Sequence, residues 1–359
     1  MTDDASGGVG SGDGARDVHG AHSRAGELTG ERGQQRLAAA FAAVRAAARV
    51  TETARQLPAS SGAVAKDDKS PVTIADFASQ AIVVRLLDHL LGGARLLGEE
   101  SDEILRDPAN AALLQQVVVA ANAAEEGIEA DEILDALAAP RADPLTAACW
   151  TLDPVDGTKG FLRGGQYAIA LSWLERGVPQ ESAVACPRLD LAGADVTTPT
   201  APGVIAVAAG GSGARIASLA GGAAHTVNAY DWRPGDPIRL ALSVEAAHGD
   251  ADGASDLARR VGELAPPIRM DSCGKYLVVA AGRADAYLRI PKATADGRVR
   301  HECVWDHAAG VRLALEAGCT VCDLRGEPLD FGRGLTLSGN HGIIVAPPRL
   351  AERLVQAAR

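Results

Sequence analysis

The chain has 359 residues, of which 47% are hydrophobic, and it carries a formal net charge of −11 at pH 7. This length suits two ordinary domains or one large layered domain, and this composition excludes a largely disordered protein. The negative charge disfavours a nucleic-acid-binding protein, which needs a basic face, and no run of 18 apolar residues predicts a membrane span, so we expect neither nucleic acid nor a membrane as a partner.

Residues 1 to about 34 are rich in glycine, serine and aspartate, and we expect a disordered acidic leader there. A targeting peptide would be basic with an apolar core, so this segment predicts no export or organelle signal. The six cysteines are scattered, most of them in apolar runs, which fits reduced thiols and a cytoplasmic location. Cys319 and Cys322 form a CxxC without a partner pair, and the alternation around them favours a strand over a zinc site.

The first predicted helix spans about residues 35–57, where apolar side chains recur at helical spacing in an alanine-rich background. A second helix is expected to start after Thr73, which is a suitable N-cap, and to end near Leu91. This start places Asp76 in the first turn of the second helix.

A short strand over residues 96–101 is predicted next, and it ends in acids, the first of which is Glu99. Residues 102–147 are expected to form a helical insertion, with helical runs near 110–122 and 130–139. An acidic connection that contains glycine separates the two runs.

The segment from Asp153 to Thr158, with the sequence Asp-Pro-Val-Asp-Gly-Thr, follows an apolar strand that ends at Leu152. Two carboxylates three residues apart at a strand exit converge, while the proline and glycine fix the turn and bare its backbone. Such a loop suits a hard cation such as Mg²⁺, which prefers oxygen ligands. An acidic turn without a metal is the open alternative.

Two apolar strands over 166–174 and 178–187 flank a short turn, which indicates a hairpin. A Gly-, Thr- and Pro-rich loop follows at 190–202. We therefore expect an N-terminal α+β subdomain over 35–195, with most of the metal ligands, and a C-terminal α/β subdomain over 196–359.

In the C-terminal half, a helix is predicted over residues 304–317, with Asp306 at its start. Further strands are expected around it, including one over 285–290. Strands and helices in alternating groups indicate a layered α/β (α+β) fold.

Four separate segments thus place acids at the ends of elements: Asp76, Glu99, Asp153 with Asp156, and Asp306. Asp76 and Asp306 alternatively serve their helix N-termini through the helix dipole, and Glu99 is alternatively a solvated surface acid. Taken together, the acids favour a carboxylate site for more than one metal ion.

Hydrolysis of a phosphate ester would use such a site, because metal ions activate water and neutralise the leaving oxygen. Phosphoryl transfer then requires mainly alignment and charge stabilisation from the protein. The Thr158 hydroxyl is placed to hold the nucleophilic water, and Gly157 exposes a backbone N–H to a phosphate oxygen.

The chain resembles the inositol monophosphatase superfamily, and within it the 3′(2′),5′-bisphosphate nucleotidase branch. The superfamily motifs are Gly98-Glu-Glu-Ser101, Asp153-Pro-Val-Asp-Gly-Thr158 and Trp305-Asp-His-Ala-Ala-Gly310; the branch motifs are Ser70-Pro-Val-Thr-Ile-Ala-Asp76, Lys159-Gly-Phe-Leu-Arg-Gly164, Ala185-Cys-Pro187, Asp271-Ser-Cys-Gly-Lys-Tyr276 and Leu329-Asp-Phe-Gly332. The similarity covers roughly residues 36–350.

This resemblance implies an αβαβα sandwich and Mg²⁺-dependent removal of the 3′-phosphate from adenosine 3′,5′-bisphosphate, with 3′-phosphoadenylyl sulfate as a further substrate. It also implies two or three Mg²⁺ ions, inhibition by lithium and a place in sulfur metabolism. By motif match, Glu99, Asp153 and the Val155 carbonyl hold one ion, and Asp153, Asp156 and Asp306 hold a second. Asp76 pairs with Thr158 to activate water and helps a third, weaker ion.

The second phosphate of such a nucleotide needs cations that the acids cannot provide. Without the resemblance, Lys275 and Arg289 would be read as surface charges. With it, Ser272, Lys275 and Arg289 match nucleotide-pocket positions, and His248 matches one in less similar surroundings. His307 directly follows a predicted metal ligand, and we expect it to form structural hydrogen bonds.

Two other functions stay open on the sequence. An inositol mono- or bisphosphate phosphatase would share every metal ligand and differ only in the pocket. A non-catalytic sensor of nucleotide bisphosphates would keep the fold without needing Asp76 and Thr158. The protein is expected to bind a small phosphorylated nucleotide as a monomer or homodimer.

Overall fold

The computed structural model describes residues 30–57, 64–65, 71–138, 142, 148–244, 250–291 and 301–359. Most of the predicted leader and the candidate pocket residue His248 therefore lie outside the described residues. Within this part of the chain, no helix has both the length and the apolarity that crossing a membrane requires.

The helices are α1 (Glu31–Ala54), α2 (Ile74–Leu91), α3 (Glu103–Arg106), α4 (Ala111–Ala121), α5 (Ala130–Leu137), α6 (Thr158–Leu162), α7 (Ala251–Arg259), α8 (Gly274–Ala280), α9 (Ala308–Glu316) and α10 (Pro348–Ala358), with a 3₁₀ turn at Pro108–Asn110. The strands are β1 (Val64–Ala65), β2 (Pro71–Val72), β3 (Leu96–Gly98), β4 (Ala148–Asp156), β5 (Ala168–Glu175), β6 (Val178–Cys186), β7 (Val204–Ala209), β8 (Ala214–Ser218), β9 (His225–Val227), β10 (Leu240–Leu242), β11 (Ile268–Arg269), β12 (Ala286–Arg289), β13 (Thr320–Cys322) and β14 (Ile343–Ala346).

Two large sheets organise these elements. A seven-stranded sheet has the order β3-β4-β5-β6-β7-β8-β9, parallel between β3 and β4 and antiparallel elsewhere. A five-stranded sheet has the order β11-β10-β12-β14-β13 and is mixed. The strands β1 and β2 form a separate antiparallel pair.

Helices cover both faces of each large sheet. One face of the seven-stranded sheet packs on α1 and α2, and its other face packs on α9. The helix α8 joins α9 in the layer between the sheets, and α7 and α10 cover the far face of the five-stranded sheet. Because central strands such as β5 are buried on both faces, they are almost continuously apolar rather than alternating. The five layers confirm the expected αβαβα sandwich.

The helix starts explain where two predicted site residues lie. Thr73 caps α2 as predicted, because its hydroxyl accepts from the Ala75 N–H.

The helix α1 begins at Glu31, a few residues before the expected start. The helix α9 begins only at Ala308, so the prediction that Asp306 starts that helix is wrong; Asp306 lies in the preceding turn, which is closed by a bond from the Ala308 N–H to the Val304 carbonyl.

The seven-stranded sheet extends past residue 195, where the sequence predicts a subdomain boundary. The chain leaves the seven-stranded sheet only at Val227, because β7, β8 and β9 pair in turn beyond β6. The described part of the 102–147 insertion packs on α1 and α2. There Arg85 bridges Glu125 and Glu132.

Candidate active site

A bulge in β4 brings the acids of the Asp153 to Thr158 loop together. Asp153 pairs with Ala170 and Asp156 pairs with Ala168, so three steps along β4 match two steps along β5. In a regular strand, residues three apart point to opposite faces, and the extra residue of a bulge removes this difference. The spacing therefore suits one shared site for both carboxylates.

The predicted acids from four segments act on one another electrostatically. Burial raises the pKa of Asp153 well above its usual value, and the nearby charges of Glu99, Asp156, Asp306 and Asp76 raise it further. The pKa of Asp306 is also raised well above its usual value, first by burial and then by Asp156 and Glu99. The structure thus places the other four predicted acids within electrostatic range of Asp153.

This donor set fits a hard divalent cation. Its members are carboxylate oxygens and a backbone carbonyl, which are the ligands that Mg²⁺ prefers. The raised pKa values of Asp153 and Asp306 mean that their ionised forms lack sufficient compensating charge from the protein. A bound cation would supply that charge.

Asp76 and Thr158 already have local partners. The Asp76 Oδ2 accepts from the Thr73 N–H at 2.8 Å and from the Thr73 hydroxyl at 2.6 Å. Asp76 therefore serves the start of α2, which was the alternative role predicted for it. Its charge also acts on Asp153. The Thr158 hydroxyl donates to the Val155 carbonyl at 3.1 Å, which ties it to a predicted metal ligand.

The described residues contain one group of three potential ligands whose donor atoms all lie within 4.8 Å of one another: Glu302, Asp306 and His307. Glu302 was not among the site residues predicted from the sequence. It extends the acidic site from Asp306 towards Arg289, with which it pairs at 2.5 Å.

The turn from Met270 to Lys275, hereafter the pocket turn, carries two predicted nucleotide contacts. Ser272 adopts φ 69°, a left-handed conformation that is uncommon for a residue with a side chain. Lys275 is buried, and its Nζ donates to the Ser272 carbonyl at 2.6 Å. Burial lowers the pKa of Lys275, with the charge of Asp156 opposing this shift. Lys275 is thus no surface charge.

Arg289, at the end of β12, is the third predicted contact. Its partner Glu302 also lies 3.4 Å from the Nε2 of His307, whose Nδ1 is 2.9 Å from the Tyr276 hydroxyl. Burial opposes the ionisation of Glu302, but hydrogen bonds to His307 and Arg289 hold its pKa below the usual range. The expected structural hydrogen bonds of His307 are therefore present.

A cavity of about 260 Å³ opens beside this pair. Arg289 and Glu302 line one part of it, and His301, Asn340 and His341 line another. The second predicted cation of the pocket therefore faces a space next to the acidic site.

Comparison with known proteins decides the family. The profile described as the Inositol monophosphatase family matches residues 33–359. The chain belongs to the inositol monophosphatase family. This membership confirms the resemblance that the sequence motifs indicated.

Curated relatives within this family carry a more specific name. A 3′(2′),5′-bisphosphate nucleotidase of Schizosaccharomyces pombe is 38% identical over 336 residues, which cover 89% of this chain and 93% of the relative. A protein of the same name from Emericella nidulans is 34% identical over 324 residues, which cover 83% of this chain and 90% of the relative.

Solved structures of the family share the fold. The extragenic suppressor protein SuhB of Bartonella henselae superposes with a TM-score of 0.59 at 19% identity, covering 90% of this chain and 98% of that chain. At this low identity, the likeness supports the layered fold and carries no information on activity.

Two further contacts near the site could not be read from spacing. Arg163 and Asp271 both lie in motifs that support the resemblance, yet their side chains meet across 108 positions of sequence. Likewise, Glu302 lies four residues before Asp306, between the predicted strand over 285–290 and the predicted helix over 304–317. Only the juxtaposition of α6, the pocket turn and β12 shows that these charges are paired.

Proposed function

We propose that this chain is a Mg²⁺-dependent nucleotidase that removes the 3′-phosphate from adenosine 3′,5′-bisphosphate, giving AMP and phosphate. The observation that carries the proposal is the identity of 34–38%, over at least 83% of the chain, with proteins named 3′(2′),5′-bisphosphate nucleotidase. The electrostatic proximity of the other predicted acids to Asp153 supports it, because such a donor set suits metal-assisted phosphate hydrolysis.

The metal ligands are assigned by motif. Glu99, Asp153 and the Val155 carbonyl would hold one Mg²⁺, and Asp153, Asp156 and Asp306 would hold a second. When bound, Mg²⁺ activates water and neutralises charge on the phosphate oxygens. A third, weaker ion near Asp76 completes the proposal.

The remaining catalytic roles belong to Asp76 on α2 and to Gly157 and Thr158 of the Asp153 to Thr158 loop. Asp76 and Thr158 are proposed to orient the attacking water, and the Asp76 carboxylate is proposed to accept its proton. The bond from Thr73 fixes the Asp76 carboxylate, and the bond to the Val155 carbonyl fixes the Thr158 hydroxyl. Gly157 offers its N–H to a phosphate oxygen of the substrate.

The second phosphate is proposed to bind at Ser272, Lys275 and Arg289, with His248 contributing to the nucleotide pocket. Burial of Lys275 and Arg289 supports this assignment, because a desolvated cation attracts an anion more strongly than an exposed one. Arg289 pairs with Glu302, and a Glu302 oxygen lies within 4.8 Å of an Asp306 oxygen. This proximity supports a site for the second phosphate beside the acids.

A panel of substrates tests the proposal. The ratio kcat/KM should be highest for adenosine 3′,5′-bisphosphate, measurable for 3′-phosphoadenylyl sulfate, and lowest for inositol 1-phosphate and inositol 1,4-bisphosphate. Added Li⁺ should inhibit all turnover. A preference for the inositol phosphates would instead establish the inositol phosphatase alternative, and tight nucleotide binding without turnover would establish the sensor.

The metal site has its own test. Asp153→Asn should lower kcat/KM by at least about 100-fold, because even outer partners of metal ligands contribute 10- to 100-fold. Asp256→Asn is a matched control, since Asp256 forms an exposed pair with Arg259 on α7. Full activity of Asp153→Asn, or of the wild type with a chelator, would contradict the metal mechanism.

Three finer statements belong to the same proposal: two or three Mg²⁺ ions per site, a monomeric or homodimeric state, and a cytoplasmic location without nucleic acid as a partner. Calorimetric titration with Mg²⁺ counts the ions, light scattering gives the oligomeric state, and fractionation of cells gives the compartment.

A further inference from the structure

The pocket turn lies directly against the Asp153 to Thr158 loop and the helix α6 that follows it. A Cβ added at Gly157 would lie 3.2 Å from the Ser272 Cβ, and one added at Gly160 would lie 2.8 Å from the Asp271 Oδ2. These two glycines therefore permit a contact that a larger side chain would prevent. The loop that carries the metal ligands and the turn that carries the pocket residues are packed as one unit.

An ion pair fixes this contact. The Arg163 guanidinium, just after α6, donates to the Asp271 carboxylate at 2.7 Å. The Arg163 side chain is 46% exposed, whereas that of Asp271 is only 9% exposed, so the carboxylate depends on its partners in the protein. A hydrogen bond between charged groups of this kind contributes more than a neutral one.

Ser272, the residue after Asp271, has a backbone conformation that neighbouring contacts must stabilise. Ser272 has its φ of 69° in the left-handed region, which costs about 1 kcal/mol or more for a residue with a side chain. Surrounding contacts must therefore hold this conformation. Lys275 binds the Ser272 carbonyl from within the pocket turn, and the Cys273 N–H donates to Asp156 in the Asp153 to Thr158 loop.

We propose that Arg163 and Asp271 are positioning residues for the second phosphate of the substrate. By fixing Asp271 on the α6 side, the pair holds the Ser272 conformation and thereby the place of Ser272 and Lys275 relative to the metal site. Neither Arg163 nor Asp271 needs to contact the substrate for this role. This inference rests on the proposed bisphosphate substrate.

The test separates binding of the second phosphate from chemistry. Arg163→Gln, Arg163→Lys, Asp271→Asn and the double variant Arg163→Gln/Asp271→Asn are compared with the wild type on adenosine 3′,5′-bisphosphate and on adenosine 3′-monophosphate, which lacks the 5′-phosphate. Arg259→Gln, which breaks the exposed pair with Asp256, is the matched control. Thermal denaturation of each variant checks that it is folded.

In Arg163→Gln, KM for the bisphosphate should rise about 10-fold, the equivalent of one charge-assisted hydrogen bond, while kcat changes less than about 2-fold. Values for the 3′-monophosphate should stay within about 2-fold of the wild type. Arg163→Lys should recover part of the loss, and the double variant should be no worse than the worse single variant.

Equal losses on both substrates would overturn the proposal, because they would indicate a general structural role. So would a fall in kcat without a rise in KM, or unchanged kinetics in every variant. If the wild type binds the bisphosphate without hydrolysing it, the proposed activity fails and dissociation constants take the place of KM. If it does not bind the bisphosphate at all, both proposals fail.

Discussion

The Arg289 guanidinium and the Glu302 carboxylate form a largely buried ion pair at 2.5 Å, with side-chain exposures of 12% and 21%. The pair joins β12 to the turn that carries Asp306. Its carboxylate also faces His307, so one acid connects a proposed phosphate contact with the neighbour of a proposed metal ligand.

Replacement of Arg289 should destabilise the folded protein. We expect Arg289→Ala to lower the free energy of unfolding by about 3 kcal/mol, because it leaves the Glu302 charge largely buried without its main partner. Arg289→Met/Glu302→Gln should recover most of this loss. Urea denaturation measures both, with Arg333→Ala, which breaks an exposed pair with Asp330, as a control expected to change stability by less than about 0.5 kcal/mol.

The effect of Mg²⁺ on stability should depend on pH. In the metal-free protein the folded pKa values of Asp153 and Asp306 lie above the unfolded value of 3.8, so the folded state binds more protons between those values. Stability without metal should therefore fall as pH rises through that window. The rise in Tm caused by saturating Mg²⁺ should be larger at pH 7.5 than at pH 5.

A single variant provides the matching control for the pH prediction. Asp306→Asn removes one of the crowded charges, so it should raise Tm in the absence of metal and reduce the shift caused by Mg²⁺. A shift that is independent of pH in the wild type would contradict the electrostatic explanation.

The cap of α2 should matter for catalysis as well as for folding. Thr73→Val removes the hydroxyl that bonds Asp76, so we expect a loss of about 1 kcal/mol in stability and a fall in kcat. Thr73→Ser keeps the hydroxyl and should behave like the wild type. If kcat in Thr73→Val equals that of the wild type, orientation of Asp76 by the cap is not needed for turnover.

Close packing of α6 predicts an effect at Gly160. A Cβ at this position would lie 2.2 Å from the Gln166 carbonyl oxygen, so Gly160→Ala should cost about 1–3 kcal/mol in stability. In Gly262→Ala the added Cβ would make its nearest contact with the Ile238 side chain at 3.6 Å, and we expect little loss of stability. Thermal denaturation of the two variants compares them directly.

Local signals in the sequence were sufficient for many elements. The cap at Thr73, the β5–β6 hairpin and the existence of the short strand that starts at Leu96 follow from side-chain chemistry and periodicity within a few residues. The start of α9 was misplaced, because apolar periodicity continues through Val304 although the first regular helical residue is Ala308. Periodicity reports which face is buried and does not by itself locate the first turn.

The sequence alone determined the layered fold and the family and predicted five of the acids, because these depend on local patterns and motifs that occur in order along the chain. Only the tertiary structure decided how the charges are partnered. Arg163 with Asp271, and Glu302 between Arg289 and His307, meet because helices, turns and strands distant in sequence pack together. The pairing of a charge depends on distance and burial in space, and neither quantity is encoded in the spacing of residues along the chain.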